Sequence, residues 1–170
     1  MPNWVKNNVR FGTDKVLKEC LDEKGHFDFN KVIPMPEVLK DENGLDKLTQ
    51  EERLLFLKDN DGCDNWYDWS IRNWGCKWNA NETIKIDNKT VSFQTPWSMP
   101  DPIFLEISRK YKTTVVVEYG DECIAENSGR VEYYDGEEMC YIEGDGEYVD
   151  KVWEVNEPDE GFSWKEGGDM

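Results

Sequence analysis

The stretch that decides the fold is residues 83–119, TIKIDNKTVSFQTPWSMPDPIFLEISRKYKTTVVVEY. Apolar residues alternate on both sides of Asp87-Asn88-Lys89, which predicts a β-hairpin. Asp101-Pro102 then provides a helix start, with proline at the first helical position and apolar side chains at helical spacing after it. Residues 114–119 are apolar enough to predict a central strand. The order of elements is therefore β-β-α-β.

The chain before this stretch adds one strand and one helix. Residues 3–11 alternate, with Trp4 and Lys6 on one face, and predict a strand. Apolar residues at helical spacing follow Asp14, and Gly25 is expected to end that helix. The combined order, β-α-insertion-β-β-α-β, predicts an α+β ferredoxin-like split βαβ sandwich, with two helices on one face of a four-stranded antiparallel sheet.

The predicted insertion covers about residues 26–81 and is rich in tryptophan. Ile33-Pro-Met-Pro36 indicates an extended segment, residues 37–48 are polar and loop-like, and Thr49 with Glu52 fits the capping box of a short helix. Four of the eight tryptophans then fall within residues 66–78. A cluster this dense indicates either an aromatic core or a recognition surface.

The C-terminal part predicts more strand. Residues 129–134, 139–142 and 148–155 alternate around glycine-rich turns, which indicates an acidic β-meander over about residues 121–155. Residues 1–155 are thus expected to form a single domain. The acidic, glycine-rich tail of residues 156–170 is expected to be disordered.

Negative charge is concentrated in the last third of the chain. Residues 1–117 hold 19 acidic and 17 basic side chains, whereas residues 118–170 hold 18 acidic side chains and only Arg130, Lys151 and Lys165. This charge disfavours direct binding to nucleic acid or to an anionic membrane, and it would steer the protein toward a basic partner. Solubility alone explains it equally well. The candidate binding residues here are Glu132, Asp135, Glu137, Glu138, Glu143, Asp145 and Glu147.

The tryptophan window divides into two predicted faces. Tyr67, Ile71, Trp74 and Trp78 form a helical stripe that is expected to be buried, although Gly75 weakens the last turn. The other face supplies candidate surface residues, namely Trp66, Trp69, Arg72 and Lys77, with Trp97 from a proline-rich loop.

Aromatic side chains beside a cation suit stacking on a planar ring together with pairing to an anion, and they equally suit a protein-binding hot spot. Alternatively, Arg72 and Lys77 neutralise Asp64 and Asp68 at helical spacing.

Catalytic and metal-binding patterns are missing from the sequence. His26 is the single histidine, the five cysteines form no C-x-x-C pair, and no glycine-rich phosphate-binding motif occurs. We therefore expect no cofactor, no metal and no enzymatic activity. No signal sequence or long apolar run is present, so a cytoplasmic location is expected.

Four ordered motifs carry a family resemblance: Met1-Pro-Asn-Trp4, Ile33-Pro-Met-Pro36, Trp66 through Trp78, and Thr95-Pro-Trp-Ser-Met-Pro100. Together they resemble the YubB-type family of phage and plasmid proteins that contain a ferredoxin-like domain. The resemblance covers roughly residues 1–120 and least of all the acidic segment after it. It implies a mobile-element accessory protein without established chemistry.

The leading hypothesis is therefore a non-enzymatic phage or mobile-element protein that binds a basic host factor. A counter-defence inhibitor whose acidic face imitates nucleic acid would be one such protein. The alternative is binding or sequestration of a small, nucleotide-like ligand at the tryptophan window. A hydrolase that uses carboxylates alone is the third hypothesis. The sequence leaves the oligomeric state open.

Overall fold

The computed structural model describes residues 1–154, which form one antiparallel sheet and six α-helices. The strands are β1 (Trp4–Phe11), β2 (Asn81–Lys85), β3 (Thr90–Pro96), β4 (Val115–Asp121), β5 (Ser128–Tyr134) and β6 (Glu137–Glu143). The α-helices are α1 (Asp14–Cys20), α2 (Glu37–Lys40), α3 (Gln50–Asp59), α4 (Trp66–Trp74), α5 (Asp101–Tyr111) and α6 (Gly146–Trp153). Two short 3-10 helices cover Phe29–Lys31 and Leu45–Lys47.

The strand order across the sheet is β2-β3-β1-β4-β5-β6. The first four strands have the arrangement of a ferredoxin-like split βαβ sandwich, with β1 antiparallel to both β3 and β4. β5 and β6 extend the sheet beyond β4 as an antiparallel pair. The predicted fold class is confirmed.

One face of the sheet, which we call the apolar face, carries the main core. It contains Val5, Val9 and Phe11 of β1 and the β3 and β4 residues in register with them. α1 and α5 supply buried residues to the same core, among them Leu17 and Phe104. Since successive strand residues point to opposite faces, this pattern buries every second residue of β1 under the two helices.

The insertion packs into this same core. The ring of Phe27 stacks on Phe93 with centroids 4.8 Å apart, and Phe29 meets the Trp74 ring edge-on at 5.6 Å. The predicted capping box is present, because the side chain of Thr49 and that of Glu52 each accept a hydrogen bond from the other residue's backbone N–H. The prediction that residues 37–48 are only loop is wrong, since they include α2 and the second 3-10 helix.

The first helix is shorter than predicted. It ends at Cys20 rather than near Gly25, because Leu21 adopts an extended conformation and forms an isolated bridge with Phe27. This turn brings the insertion back to the core immediately after α1.

The opposite face of the sheet, which we call the polar face, is covered in part by α6. The prediction of a third meander strand over residues 148–155 is wrong, because residues 146–153 are helical. Asp145 caps this helix by accepting a hydrogen bond from the backbone N–H of Tyr148. Val149 and Val152 are buried, and their spacing of three residues places both on one face of a helix. The alternation of apolar and polar residues over 148–155 fits a strand equally well, so the local pattern does not distinguish the two. The predicted disordered tail lies outside the described residues.

Candidate binding surfaces

The tryptophan window forms α4 and the turn that follows it. The Asn65 side chain caps the helix by accepting a hydrogen bond from the Asp68 N–H, and Gly75 ends the helix in a left-handed conformation with φ of 78°. A Cβ on Gly75 would lie 2.7 Å from Pro102 Cδ, so glycine is needed there for space as well as for φ. Trp78 therefore lies beyond the helix.

The predicted division of the tryptophan window into buried and exposed faces is wrong at Tyr67, Trp69, Ile71 and Trp78 and right at Trp66, Arg72 and Trp74. Trp69, expected at the surface, is only 3% exposed and donates its Nε1–H to Asn60 Oδ1 at 3.3 Å. Of the stripe expected to be buried, only Trp74 is, and it donates to the Ile33 carbonyl at 2.8 Å. Tyr67, Ile71 and Trp78 are exposed.

Contacts within the insertion explain why a different side of α4 is buried than the one predicted. The buried face is rotated by about one residue, roughly 100°, from the predicted stripe. Five of the nine residues of α4 are apolar or aromatic, and at about 100° per residue they spread over more than half of the helix circumference, so periodicity alone does not select the buried side. The hydrogen-bond acceptors on Asn60 and Ile33 select it, because a buried indole N–H needs a partner.

Four side chains assemble into an exposed cluster that we call the Lys77 aromatic site: Tyr67, Lys77, Trp78 and Trp97. The Lys77 ammonium lies 4.5 Å from the ring centroid of Trp78, 5.6 Å from that of Trp97 and 5.9 Å from that of Tyr67. The Trp4 ring packs against Trp78 at 6.2 Å. Each ring–ammonium distance is within the range of a cation–π interaction.

Hydrogen bonds join α4, the turn after it and the loop that carries Trp97. Ser70 Oγ donates to the carbonyl oxygen of Lys77 at 2.9 Å, and Ser98 Oγ donates to that of Gly75 at 2.6 Å. Trp97 has a left-handed backbone, with φ of 61°. Its N–H donates to the Asn3 carbonyl at 2.9 Å and its carbonyl accepts from Asn127 Nδ2 at 3.0 Å. The Trp97 loop is therefore fixed to both α4 and the start of β1.

Sequence reasoning found only part of this site. Lys77 and Trp97 were predicted, whereas Tyr67 and Trp78 were assigned to the core. The signal that identifies Trp78 is Gly75, because a residue beyond the end of a helix no longer belongs to that helix's stripe. Trp66 is exposed and touches Tyr67, but it does not contact the ammonium.

Arg72 does not join the aromatic site. It is exposed and forms an ion pair with Asp61 at 3.2 Å, so the expected pairing with Asp64 or Asp68 is wrong for Arg72. Among the ion pairs of residues 1–154, none involves Lys77. The two basic residues of the window thus have different surroundings.

The acidic candidates lie on and around the β5–β6 hairpin. Six are exposed: Asp135, Glu137, Glu138, Glu143, Asp145 and Glu147. Glu132 is half-buried on the polar face, where it pairs with the buried Arg130 at 2.8 Å. Glu147 pairs with Lys151 at 3.7 Å, and Asp145 is the cap of α6.

β6 is an edge strand, and nearly all of it is exposed. Met139 and Tyr141 stand among its carboxylates, and the register with β5 shifts between Glu132 and Tyr133. Charged side chains and irregular pairing are typical protection of a sheet edge against pairing with other strands. We call the surface formed by β6 and the first turn of α6 the acidic edge.

The residues with potential chemistry lie apart from one another. His26 is exposed and lies 3.6 Å from Asp22. Cys20 and Cys76 are buried, and burial raises the pKa of each thiol to about 12, so both stay neutral near pH 7. Within residues 1–154, no group of three or more His, Cys, Asp or Glu side chains is arranged to hold a metal ion. No helix in that range is long and apolar enough to cross a membrane.

A family model and a solved structure are similar to this chain. The family model described as "Ferredoxin-like domain in Api92-like protein" matches residues 73–160. The crystal structure of a protein Api92 from Yersinia pseudotuberculosis is similar, at 17% identity and a TM-score of 0.48, over 69% of this chain and 39% of that chain. This chain therefore spans well under half the length of that protein. No curated protein matches.

The matched range is informative in itself. It begins within α4 and includes the acidic segment of residues 121–155, where the motif resemblance is weakest. The match confirms a ferredoxin-like domain family and is silent on the YubB-type name. Because residues 73–160 are more than half of the 170 residues, the chain belongs to the family of the ferredoxin-like domain in Api92-like protein.

Proposed function

We propose that this chain is a non-enzymatic binding protein whose acidic edge docks a basic protein partner. The observation that carries the proposal is the exposure of β6, which presents Glu137, Glu138 and Glu143 on an edge strand. Within residues 1–154 these three carboxylates form none of the ion pairs. Residues 118–154 hold 13 acidic side chains against Arg130 and Lys151.

The two bases are already committed within the chain. Arg130 is buried and paired with Glu132, and Lys151 is paired with Glu147. The exposed carboxylates of β6 extend along the strand. At about 3.4 Å per residue, Glu137 and Glu143 are roughly 20 Å apart, which is long enough to follow a basic groove. Such a field speeds association with a cationic surface and weakens as salt rises.

The partner we propose is a basic, nucleic-acid-binding protein of a bacterial host. An acidic edge competes for the same lysine and arginine side chains that a phosphate backbone would occupy. In this proposal the chain is a phage or mobile-element accessory protein in the host cytoplasm and acts as a counter-defence inhibitor. The charge supports this proposal, and the mobile-element origin rests on the motif resemblance.

The test combines capture with charge variants. The wild type is immobilised and exposed to bacterial host lysate across a salt series. The triple variant Glu137→Gln, Glu138→Gln, Glu143→Gln removes three charges from the acidic edge. The control triple variant Glu19→Gln, Glu23→Gln, Glu42→Gln removes the same charge from exposed positions in the first part of the chain.

We expect a partner that the wild type and the control retain at low salt, that high salt or added duplex DNA displaces, and that the acidic-edge variant loses. Equal retention by both triple variants would refute a role for the acidic edge. A partner that duplex DNA fails to displace would refute nucleic-acid mimicry.

A further inference from the structure

A second surface, independent of the acidic edge, is the Lys77 aromatic site. We propose that it binds a small planar anion of the mononucleotide class, in which an aromatic ring stacks on the exposed tryptophans and a phosphate pairs with Lys77. This proposal does not rest on the function proposed above, because the two surfaces share no residue.

The exposure of the rings is the first argument. Tyr67, Trp78 and Trp97 are between 38% and 47% exposed, although each could bury far more area in a core. They converge on one ammonium group from three separate chain positions: a helix, the turn after it and a loop after β3. An aromatic surface with a cation at its centre offers stacking and charge pairing within one small area.

The charge of Lys77 is the second argument. Arg72 in the same window is paired with Asp61, whereas no ion pair within residues 1–154 uses Lys77. Its ammonium lies over the rings of Trp78, Trp97 and Tyr67, and the Lys77 side chain is half-buried rather than fully covered. An anion that approaches from solvent therefore meets a positive charge held in a fixed place.

The rigidity of the site is the third argument. Trp97 keeps a left-handed backbone, a strained conformation for a bulky residue. Its N–H donates to the Asn3 carbonyl and its carbonyl accepts from the Asn127 side-chain amide, and these two hydrogen bonds hold it there. The Ser70 hydroxyl donates a hydrogen bond to the Lys77 carbonyl and fixes the backbone at that position. A site positioned before binding loses less conformational entropy when a ligand arrives.

The overall charge limits the size of the ligand. A chain with a net charge of -17 repels a phosphate polymer over its whole length, whereas a mononucleotide brings only one phosphate to the one cation. Glu122 accepts a hydrogen bond from the backbone N–H of Trp4, whose ring packs against Trp78, and this carboxylate adds to the repulsion of a longer anionic chain. We therefore assign the site to a free small anion rather than to the end of a nucleic acid.

The test is calorimetric titration of the full chain with adenosine monophosphate, adenosine, inorganic phosphate and a short single-stranded DNA. Three variants probe the site: Lys77→Met removes the charge, Trp78→Leu removes one ring, and Trp97→Asn removes another. Asparagine tolerates the left-handed backbone at position 97, so loss of binding there does not come from backbone strain. Trp66→Leu is the matched control, since Trp66 is about as exposed as Trp78 but does not contact Lys77.

We expect saturable binding of adenosine monophosphate, weakened about tenfold by each of the three site variants and unchanged in Trp66→Leu. Adenosine and phosphate alone should each bind at least about tenfold more weakly than the nucleotide. The proposal is overturned if the wild type does not bind the nucleotide, if Lys77→Met binds it equally well, or if the single-stranded DNA binds more tightly.

Discussion

The two faces of the sheet are held in different ways. On the apolar face, the rings of Phe27, Phe29, Phe93 and Phe104 pack together under α1, α5 and the insertion. On the polar face, α6 is attached by two buried valines, Val149 and Val152, and by hydrogen bonds to individual side chains and carbonyls. The comparison shows that one sheet can carry a large aromatic core and a separate, polar helix attachment.

The polar attachment can be described bond by bond. Asn8 Nδ2 donates to the Val152 carbonyl at 3.0 Å, and Trp153 Nε1 donates to the Gly120 carbonyl at 2.9 Å. The Tyr148 hydroxyl donates to Glu118 at 2.8 Å. Only Val149 and Val152 are buried apolar side chains of α6. We expect α6 to open more readily than the core, because local stability follows buried apolar contact.

The largest expected effect is on the apolar face. Phe93→Ala removes a fully buried ring that contacts three other phenylalanines, and we expect a loss of about 3–5 kcal/mol in the free energy of unfolding. The control is Gln94→Ala, the next residue of β3, which points to the polar face and should cost less than about 1 kcal/mol. Chemical denaturation measures both. Similar losses for the two variants would contradict the difference between the faces.

The next effect is on the attachment of α6. At Gly120 an added Cβ would lie 3.2 Å from Val149 Cα and 3.3 Å from Val149 Cγ2, so Gly120→Ala should push α6 outward at a cost of about 1–3 kcal/mol. Hydrogen exchange of the α6 amides should accelerate while that of β1 changes little.

The control variant is expected to change hydrogen exchange of the α6 amides in the opposite direction. Gly146→Ala lies in the first turn of α6, where the nearest atom to an added Cβ is 3.9 Å away. Alanine favours a helix over glycine by up to about 1 kcal/mol, so exchange in α6 should slow. If Gly120→Ala accelerated exchange in β1 as strongly as in α6, the helix would be part of the main core rather than a separate attachment.

The smallest effect depends on pH. Burial and the adjacent Glu118 carboxylate raise the pKa of Tyr148 above the ordinary value of 10.0. Because the folded pKa is the higher one, the contribution of Tyr148 to stability is fully present below about pH 10 and is lost as the pH rises from there toward the folded pKa. Tyr148→Phe should lower stability by about 1.5 kcal/mol at neutral pH and make the decline above pH 10 shallower.

Thermal unfolding across that pH range measures this effect, with Tyr134→Phe, an exposed tyrosine at the end of β5, as the control. If the stability of Tyr148→Phe depended on pH as that of the wild type does, ionisation of the Tyr148 phenol would not contribute to the attachment of α6. Tyr119 and Tyr133 also have pKa values raised by burial, so some decline should remain in the variant.

The sequence predicted the elements with strong local signals. The hairpin around residues 87–89 and the capping box at Thr49 each depend on residues within a few positions of one another. The order of these elements then led to the correct fold class, because few topologies accommodate β-α-β-β-α-β. Of the proposed binding residues, the six exposed acidic ones and also Trp66, Arg72 and Trp97 were placed correctly at the surface.

The errors arose where local signals were ambiguous. Residues 148–153 suit both a strand and a helix, and the Asp145 cap with the contacts to Asn8 and Gly120 decided for the helix. In α4, apolar and aromatic residues cover more than half of the helix circumference. Partners distant in sequence, Ile33 for Trp74 and Asn60 for Trp69, selected the buried side.

Backbone propensity, capping and alternation are local, and they determined the strands, most helices and the concentration of negative charge in the last third of the chain. Tertiary packing decided which indole rings are buried, how α6 is attached and how three rings converge on Lys77. Each of these requires residues from separate segments to meet, and burial and hydrogen-bond satisfaction choose among faces that the local pattern leaves equivalent.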